Sequence, residues 1–165
     1  MPLTRILIWA LAAFGLDRLS KLWIVEWLNL KEIGYIEVLP PYLNFAMGWN
    51  RGVNFGLLAG HEEWTRWGLI VLAVVISIWV VWWGRRQVSS WMHVAAGLVV
   101  GGAIGNVWDR VQYGAVADYL NMSCCGIRNP YTFNVADIFI FAGAGLLIVL
   151  SGREEKARKA RGEGE

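Results

Sequence analysis

Four apolar segments of membrane-spanning length constrain this 165-residue chain most strongly. A helix needs about 17–25 predominantly apolar residues to cross a bilayer, and the run from Trp67 to Trp83 contains no charged residue. Composition agrees, since 56% of the residues are hydrophobic and 17% are charged, against about 45–50% and about 25% in soluble domains. We predict an all-α membrane protein with four transmembrane helices in one domain, residues 1–165, with spans at about 3–28, 67–83, 91–108 and 133–150.

The segments between the spans predict a small extracytoplasmic platform. Residues 29–66 are too long for a simple turn and mix aromatic, Gly, Pro and charged residues. Within them, the stretch from Tyr35 to Phe45 contains β-prone residues around Pro40-Pro41, which favours short strands. Residues 119–132 form a second outer loop of a length often seen in functional loops.

Basic residues predict the orientation in the membrane. Lys and Arg are enriched in short cytoplasmic segments next to spans. Here they occur at Arg5, in the short loop 84–90 and in the tail 152–165, which lie on one side if there are four spans. We therefore expect both termini in the cytoplasm, and the ends of spans three and four at the outer leaflet.

Two aspartates, Asp118 and Asp137, lie at those outer ends among apolar residues. An ionisable group at membrane depth is costly and is a functional hypothesis by default, and paired carboxylates commonly activate water. Because Gly114 precedes Asp118, we expect the helix to bend or break before this aspartate. The alternative for Asp118 is a solvent-exposed loop acid. For Asn134, three residues before Asp137, the alternative is a helix cap.

Other polar residues are spaced for contact on a helix. Asn106, Asp109 and Arg110 share a face if helix continues through them. A simpler alternative is an ion pair of Asp109 with Arg110 at a helix end. Asp17 and Lys21 have the i, i+4 spacing of a structural ion pair, with the long side chain of Lys21 extending toward the interface.

Small and sulfur-containing residues add two expectations. Gly97, Gly101 and Gly105 repeat a small-xxx-small spacing that allows close helix approach in lipid. The adjacent Cys124 and Cys125 are too few for a metal site, and a disulfide between neighbours would be strained, so we expect free thiols.

Four blocks in order resemble the bacterial lipoprotein signal peptidases (signal peptidase II). The family pattern has an Asp-x-x-Ser/Thr-Lys block in span one, an Asn-x-Gly-x-x-Phe block, a Gly-Asn-x-x-Asp-Arg block leading to a catalytic Asp, and a Phe-Asn-x-Ala-Asp block. One departure is Asn54, where the family often has Ala. The matching blocks here are Asp17–Lys21, Asn50–Phe55, Gly105–Asp118 and Phe133–Asp137.

The resemblance implies an aspartic endopeptidase of the bacterial inner membrane that removes signal peptides from prolipoproteins, cleaving before the diacylglyceryl-modified cysteine. Its partners would be lipidated prolipoproteins and membrane lipids; we expect a monomer that needs no metal or organic cofactor. A net charge of +2 is too small to indicate nucleic acid. By resemblance, the catalytic pair is Asp118 and Asp137, the substrate-binding residues are Asn50, Asn106, Arg110 and Asn134, and the supporting residues are Asp17, Lys21 and Asp109.

Three other classes can also place acids at membrane depth. An ion-coupled transporter would show two internally related halves, and no such repeat is visible in the sequence. A metal-dependent phosphotransferase would need a tighter cluster of acids to hold a divalent cation. A purely structural membrane protein leaves Asp137 unexplained.

Overall fold

A computed structural model describes residues 1–52, 62–126 and 129–160. Asn54, Phe55, Arg128 and Arg161 lie outside the described residues. The elements are α1 (Pro2–Lys21), a π-helical segment (Leu22–Trp27), α2 (Leu30–Ile33), β1 (Tyr35–Leu39), β2 (Leu43–Asn50), α3 (Glu62–Gly84), α4 (Ser90–Tyr113), β3 (Val116–Met122) and α5 (Val135–Ala160).

Three helices in the described part of the chain, α3, α4 and α5, are long and apolar enough to cross a membrane. α1 is not one of them, because Arg5, Asp17 and Arg18 interrupt its apolar sequence. α1 nevertheless exposes apolar side chains on its surface, such as Leu7 and Leu11. The prediction of membrane helices is therefore confirmed for three of the four segments by length and composition.

Helix α4 is the central helix and packs against α1, α3 and α5. Its glycines allow this, since a Cβ added to Gly101 would lie 2.7 Å from the Cβ of Ala13 on α1. On the α5 side, a Cβ added to Gly102 would lie 2.5 Å from the carbonyl oxygen of Ala136. The predicted close helix approach is confirmed, and it brings the backbones of α1 and α5 close to that of α4.

Helix α4 continues past the predicted end of its span and ends at Gly114, which has a φ of +77°. The left-handed region is readily available only to glycine, so this residue fixes where the chain leaves the helix. The predicted break at Gly114 is confirmed. Residues 116–122 then form β3, so the start of the predicted outer loop is a strand.

The predicted platform is a three-stranded antiparallel sheet in the order β1-β2-β3. A turn with a cis Pro40–Pro41 peptide joins its first two strands. The sheet is anchored on the end of α1 through Tyr119, which is fully buried and whose hydroxyl lies 2.6 Å from that of Ser20. Its apolar side buries residues from the π segment, α2 and two strands, namely Ile24, Val25, Leu30, Phe45, Ala117 and Tyr119.

We expect Gly101→Ala to destabilise the protein by about 1–3 kcal/mol, the usual cost of overpacking a tight contact. The matched control is Gly145→Ala in α5, where an added Cβ meets nothing within 4 Å. That change should be neutral or stabilise the helix by up to about 1 kcal/mol. Thermal unfolding in detergent measures both, and equal melting temperatures would contradict the close α1–α4 approach.

Candidate active site

The structure brings Asp118 and Asp137 into one site from two different elements. Asp118 is on β3, pairs with Gly48 of β2 in the sheet register, and is 3% exposed. Asp137 is half-buried in the first turn of α5. The alternative of a solvent-exposed loop acid at Asp118 is thereby excluded.

The side-chain amide of Asn134 joins the two aspartates. Its Nδ2 donates to Asp118 Oδ1 at 2.6 Å, while its Oδ1 accepts the backbone N–H of Asp137 at 3.0 Å. In return, Asp137 Oδ2 accepts the backbone N–H of Asn134 at 3.2 Å. This reciprocal pair is a capping box at the start of α5. The cap predicted as an alternative for Asn134 is thus present, and it serves the same site.

Two further asparagines hold the remaining carboxylate oxygens. Asn50 Nδ2 donates to Asp118 Oδ2 at 3.1 Å, and Asn106 Nδ2 donates to Asp137 Oδ1 at 2.9 Å. Asn50 is itself oriented by a turn, since its Oδ1 accepts the backbone N–H of Gly52 at 3.0 Å. Each of the four carboxylate oxygens therefore accepts at least one N–H hydrogen bond from the residues described.

Burial dominates the proton affinity of Asp118. The pKa of Asp118 is raised from 3.8 to about 6. Loss of solvent is the largest cause of this rise, and the nearby negative charge of Asp137 is the second. Hydrogen bonds from Asn50 and Asn134 and the positive charge of Lys21 oppose the rise. A carboxyl group that keeps a proton near neutral pH beside a second carboxylate is suited to acid–base chemistry.

Arg110 lies where an apolar groove meets this polar site. Its Nη1 donates to the carbonyl oxygen of Asn106 at 3.3 Å, and its buried Nε has no hydrogen-bond partner among the residues described. The groove, of about 260 Å³, runs between α3, α4 and α5 and ends at these two polar side chains. It is lined by Leu69, Leu72, Ala73, Ile76, Val99, Ala103, Asn106, Arg110 and Ile140.

The predicted supporting residues Asp17, Lys21 and Asp109 are buried behind the aspartates, where they meet the partly buried Arg18. We call these four residues the α1–α4 charge cluster. Lys21 Nζ lies 3.0 Å from Asp17 Oδ1 and 2.6 Å from Asp109 Oδ2. Arg18 Nη2 lies 2.6 Å from Asp17 Oδ2 and 2.7 Å from Asp109 Oδ1. Each cation thus bridges both carboxylates, in a network that no single helix could form.

Three expectations about this cluster change. The Asp17–Lys21 pair is present, but the extension of Lys21 to the interface is wrong, because its side chain is only 5% exposed. Asp109 forms its ion pairs with Arg18 and Lys21 of α1 and not the expected pair with Arg110. Arg18 was not predicted as part of the site; its position beside Asp17 in an apolar segment was the available signal.

Cys124 and Cys125 are free and exposed in the turn after β3, as predicted. They lie beyond the end of β3, six and seven residues after Asp118, and are not among the residues that form the site described above.

Helices suited to a membrane and two linked carboxyl groups are the combination expected of a membrane enzyme, and comparisons with known proteins show such an enzyme family. A lipoprotein signal peptidase of Aeromonas hydrophila is 38% identical over 152 residues, covering 90% of this chain and 89% of that protein. One from Methylorubrum extorquens is 41% identical over 147 residues, covering 89% and 85%. A bacterial membrane enzyme solved by the in meso method at 2.3 Å resolution superposes with a TM-score of 0.74 at 27% identity, covering 93% of this chain and 90% of that chain.

The family described as Signal peptidase (SPase) II matches residues 9–152. The chain therefore belongs to the signal peptidase II family, and it is a peptidase. The matched range contains all four blocks that carried the resemblance in the sequence.

The raised pKa of Asp118 predicts a pH dependence of stability. A carboxyl group that binds its proton more tightly when folded stabilises the protein fully below pH 3.8, and this contribution is lost as the pH rises through about 6. Within that window the free energy of unfolding should fall by up to about 1.4 kcal/mol per pH unit. Chemical unfolding of the wild type and of Asp118→Asn from pH 3.5 to 7.5 measures this slope. An identical slope in both proteins would contradict the raised pKa.

Proposed function

We propose that Asp118 and Asp137 are the catalytic pair with which this signal peptidase II removes signal peptides from prolipoproteins, cleaving before the diacylglyceryl-modified cysteine. The observation that carries the proposal is the amide of Asn134, which links one buried carboxyl on a strand to a second at a helix start. Two carboxyl groups held this way can share one proton, since two like charges at short range do not both ionise easily.

The surroundings of the two carboxyl groups assign them different roles. Asp118 is the more buried, and its pKa of about 6 lets it hold the shared proton. Asp137 lies in the first turn of α5, where the helix dipole favours a negative charge. Asp137 is therefore the general base and Asp118 the general acid in the first step.

The reaction follows from this assignment. Asp137 takes a proton from a water molecule, and the water oxygen attacks the scissile carbonyl carbon. Asp118 donates its proton to the developing oxyanion, which gives a neutral tetrahedral diol. Collapse of the diol breaks the C–N bond; Asp137 returns its proton to the leaving amine, and Asp118 recovers one from the diol hydroxyl. Both products leave with the pair again singly protonated.

The shape of the site supports a membrane-bound substrate. The apolar groove between α3, α4 and α5 suits an apolar segment of a signal peptide or lipid, and its polar end at Asn106 and Arg110 meets the catalytic pair. The buried Nε–H of Arg110 has no hydrogen-bond partner among the residues described, so it can donate to a substrate carbonyl oxygen. The sheet that holds Asp118 extends the site toward the aqueous side.

The same arrangement supports the proposed membrane placement. α1 packs along α4, which itself has the length and composition of a span, and exposed apolar side chains such as Leu7, Ile8 and Leu11 suit contact with lipid. We therefore assign α1 as a fourth span, with both termini cytoplasmic in the bacterial inner membrane and the catalytic pair at the outer leaflet. We expect the enzyme to act as a monomer.

Asp118→Asn and Asp137→Asn should each lower the cleavage rate by at least about 10²–10⁴-fold, since each removes a proton-transferring group. The assay uses a purified lipidated prolipoprotein. Gel electrophoresis or mass spectrometry follows the loss of mass when the signal peptide is removed, and its time course gives the cleavage rate. Glu32→Gln is the matched control, because Glu32 is an exposed acid outside the site.

Folding of the variants is checked by melting temperature and by monodisperse elution in detergent. A non-lipidated substrate tests the lipid requirement in the same assay. Full activity in either aspartate variant would refute the catalytic assignment.

The activity should depend on the proton that Asp118 holds. kcat/KM is expected to fall as the pH rises through about 6, the pKa of Asp118, with the apparent value belonging to the coupled pair. Asn50→Ala removes an N–H donor that stabilises the carboxylate, so this alkaline limb should move to higher pH. A pH–rate series on both proteins measures the shift, and movement toward lower pH would contradict the role of Asn50.

A further inference from the structure

The α1–α4 charge cluster makes one hydrogen bond to each segment that carries a catalytic aspartate. Asp109 Oδ2 accepts the backbone N–H of Ala117 at 3.1 Å, and Ala117 is the residue before Asp118. Asp17 Oδ1 accepts the backbone N–H of Ala136 at 3.1 Å, and Ala136 is the residue before Asp137. Asp109 and Asp17 thus make the same kind of contact, each with the backbone amide of the residue just before one catalytic aspartate.

Neither backbone amide has access to water as a replacement partner. Ala117 is 1% exposed and Ala136 is 0% exposed. Ala136 is also in the first turn of α5, where backbone N–H groups have no partner within the helix. A buried N–H without an acceptor costs free energy comparable to a lost hydrogen bond, so each amide is held at its carboxylate.

The two contacts are mechanically joined. Arg18 and Lys21 each bridge Asp17 and Asp109, so a displacement of one carboxylate moves the other. The lack of a side chain at Gly105 makes space for the carboxylate of Asp17, because a Cβ there would lie 2.7 Å from Asp17 Oδ2. The carbonyl oxygen of Gly105 also accepts from Arg18 Nη2 at 3.3 Å. The cluster is therefore one packed unit that touches both β3 and α5.

We propose that Asp17 and Asp109 are positioning residues for peptide cleavage: through the amides of Ala117 and Ala136, the α1–α4 charge cluster sets the separation of the two catalytic carboxyl groups. This inference rests on the proposed catalytic roles of Asp118 and Asp137. Asp17 and Asp109 reach the substrate only through the segments they hold.

Charge gives the cluster a second effect on the same pair. Its two cations and two carboxylates balance, yet Lys21 is close enough to lower the pKa of Asp118. Among the residues described, the charges of Asp137 on α5 and Arg110 on α4 also act on Asp118. Neutralising one member of the cluster should therefore shift the pH dependence in a direction set by the sign of the charge removed.

The positioning role is tested with Asp109→Ala and Asp109→Asn. Ala removes both the acceptor and the charge, whereas Asn keeps an oxygen that can accept from Ala117. We expect kcat per folded molecule to fall about 10- to 100-fold in Asp109→Ala with little change in KM, since small displacements of reacting groups cost rates of this order. Asp109→Asn should retain clearly more activity. Asp17→Ala should resemble Asp109→Ala.

The charge effect is tested by the alkaline limb of the pH–rate profile. Asp109→Asn leaves an excess positive charge and should move the limb to lower pH; Lys21→Met should move it to higher pH. The double variant Lys21→Met/Asp109→Asn keeps the cluster neutral, is the one expected to fold most readily, and should return the limb close to the wild-type position. Lys31→Met, which breaks only the exposed pair with Glu26, is the control and should change neither kcat nor the limb.

The outcomes separate this inference from the proposed function. If Asp118→Asn is inactive but the cluster variants keep kcat within twofold of the wild type and an unmoved limb, the positioning role is wrong and the catalytic assignment stands. If Asp118→Asn is fully active, the catalytic assignment fails first. Should the single cluster variants not fold, the charge-neutral double variant Lys21→Met/Asp109→Ala decides, because it also removes the acceptor of the Ala117 amide. A kcat within twofold of the wild type in this variant overturns the positioning role.

Discussion

The hydrogen bonds of Asn134 are the interaction on which the site depends. One side-chain amide caps α5, donates to Asp118 of β3, and fixes the backbone of Asp137. Because the residue is fully buried, its amide has no water to replace any of these partners, and leaving one unmade would cost the full desolvation penalty. The start of a membrane helix, an edge of the sheet and the carboxylate pair are thereby held together by one side chain.

The cost of placing charge at membrane depth explains the rest of the arrangement. Buried charges persist when they are paired and hydrogen-bonded, and here every carboxylate in the interior has several donors. Asp17 and Asp109 share two cations, while Asp118 and Asp137 share amide donors that carry no charge. The first pair is therefore part of an ion cluster, whereas in the second pair burial raises the pKa of Asp118 to about 6, which suits that carboxyl group to proton transfer.

Residue spacing predicted contacts within a helix better than contacts between helices. The Asp17–Lys21 pair, the shared face of Asn106 and Asp109, and the break at Gly114 all follow from local geometry, and all are present. The partners of Asp109 were not predictable from spacing, because Arg18 and Lys21 are 91 and 88 residues away in the sequence. Burial of Lys21 escaped prediction for the same reason: a long side chain extends to water only when no carboxylates meet it inside.

The sequence by itself determined the class of the protein. The features that indicate this class are the apolar segments, the four ordered polar blocks and two aspartates whose charges are costly in an apolar environment. It also determined the glycine spacing that allows close packing. Only the tertiary structure decided that the platform includes β3 and that Asn134 joins the two aspartates. It also decided that Asp109 of α4 and Asp17 of α1 contact the amides before Asp118 and Asp137. The physical reason is that hydrogen bonds and ion pairs across elements depend on distances in space, which helix packing around α4 sets and local sequence patterns do not encode.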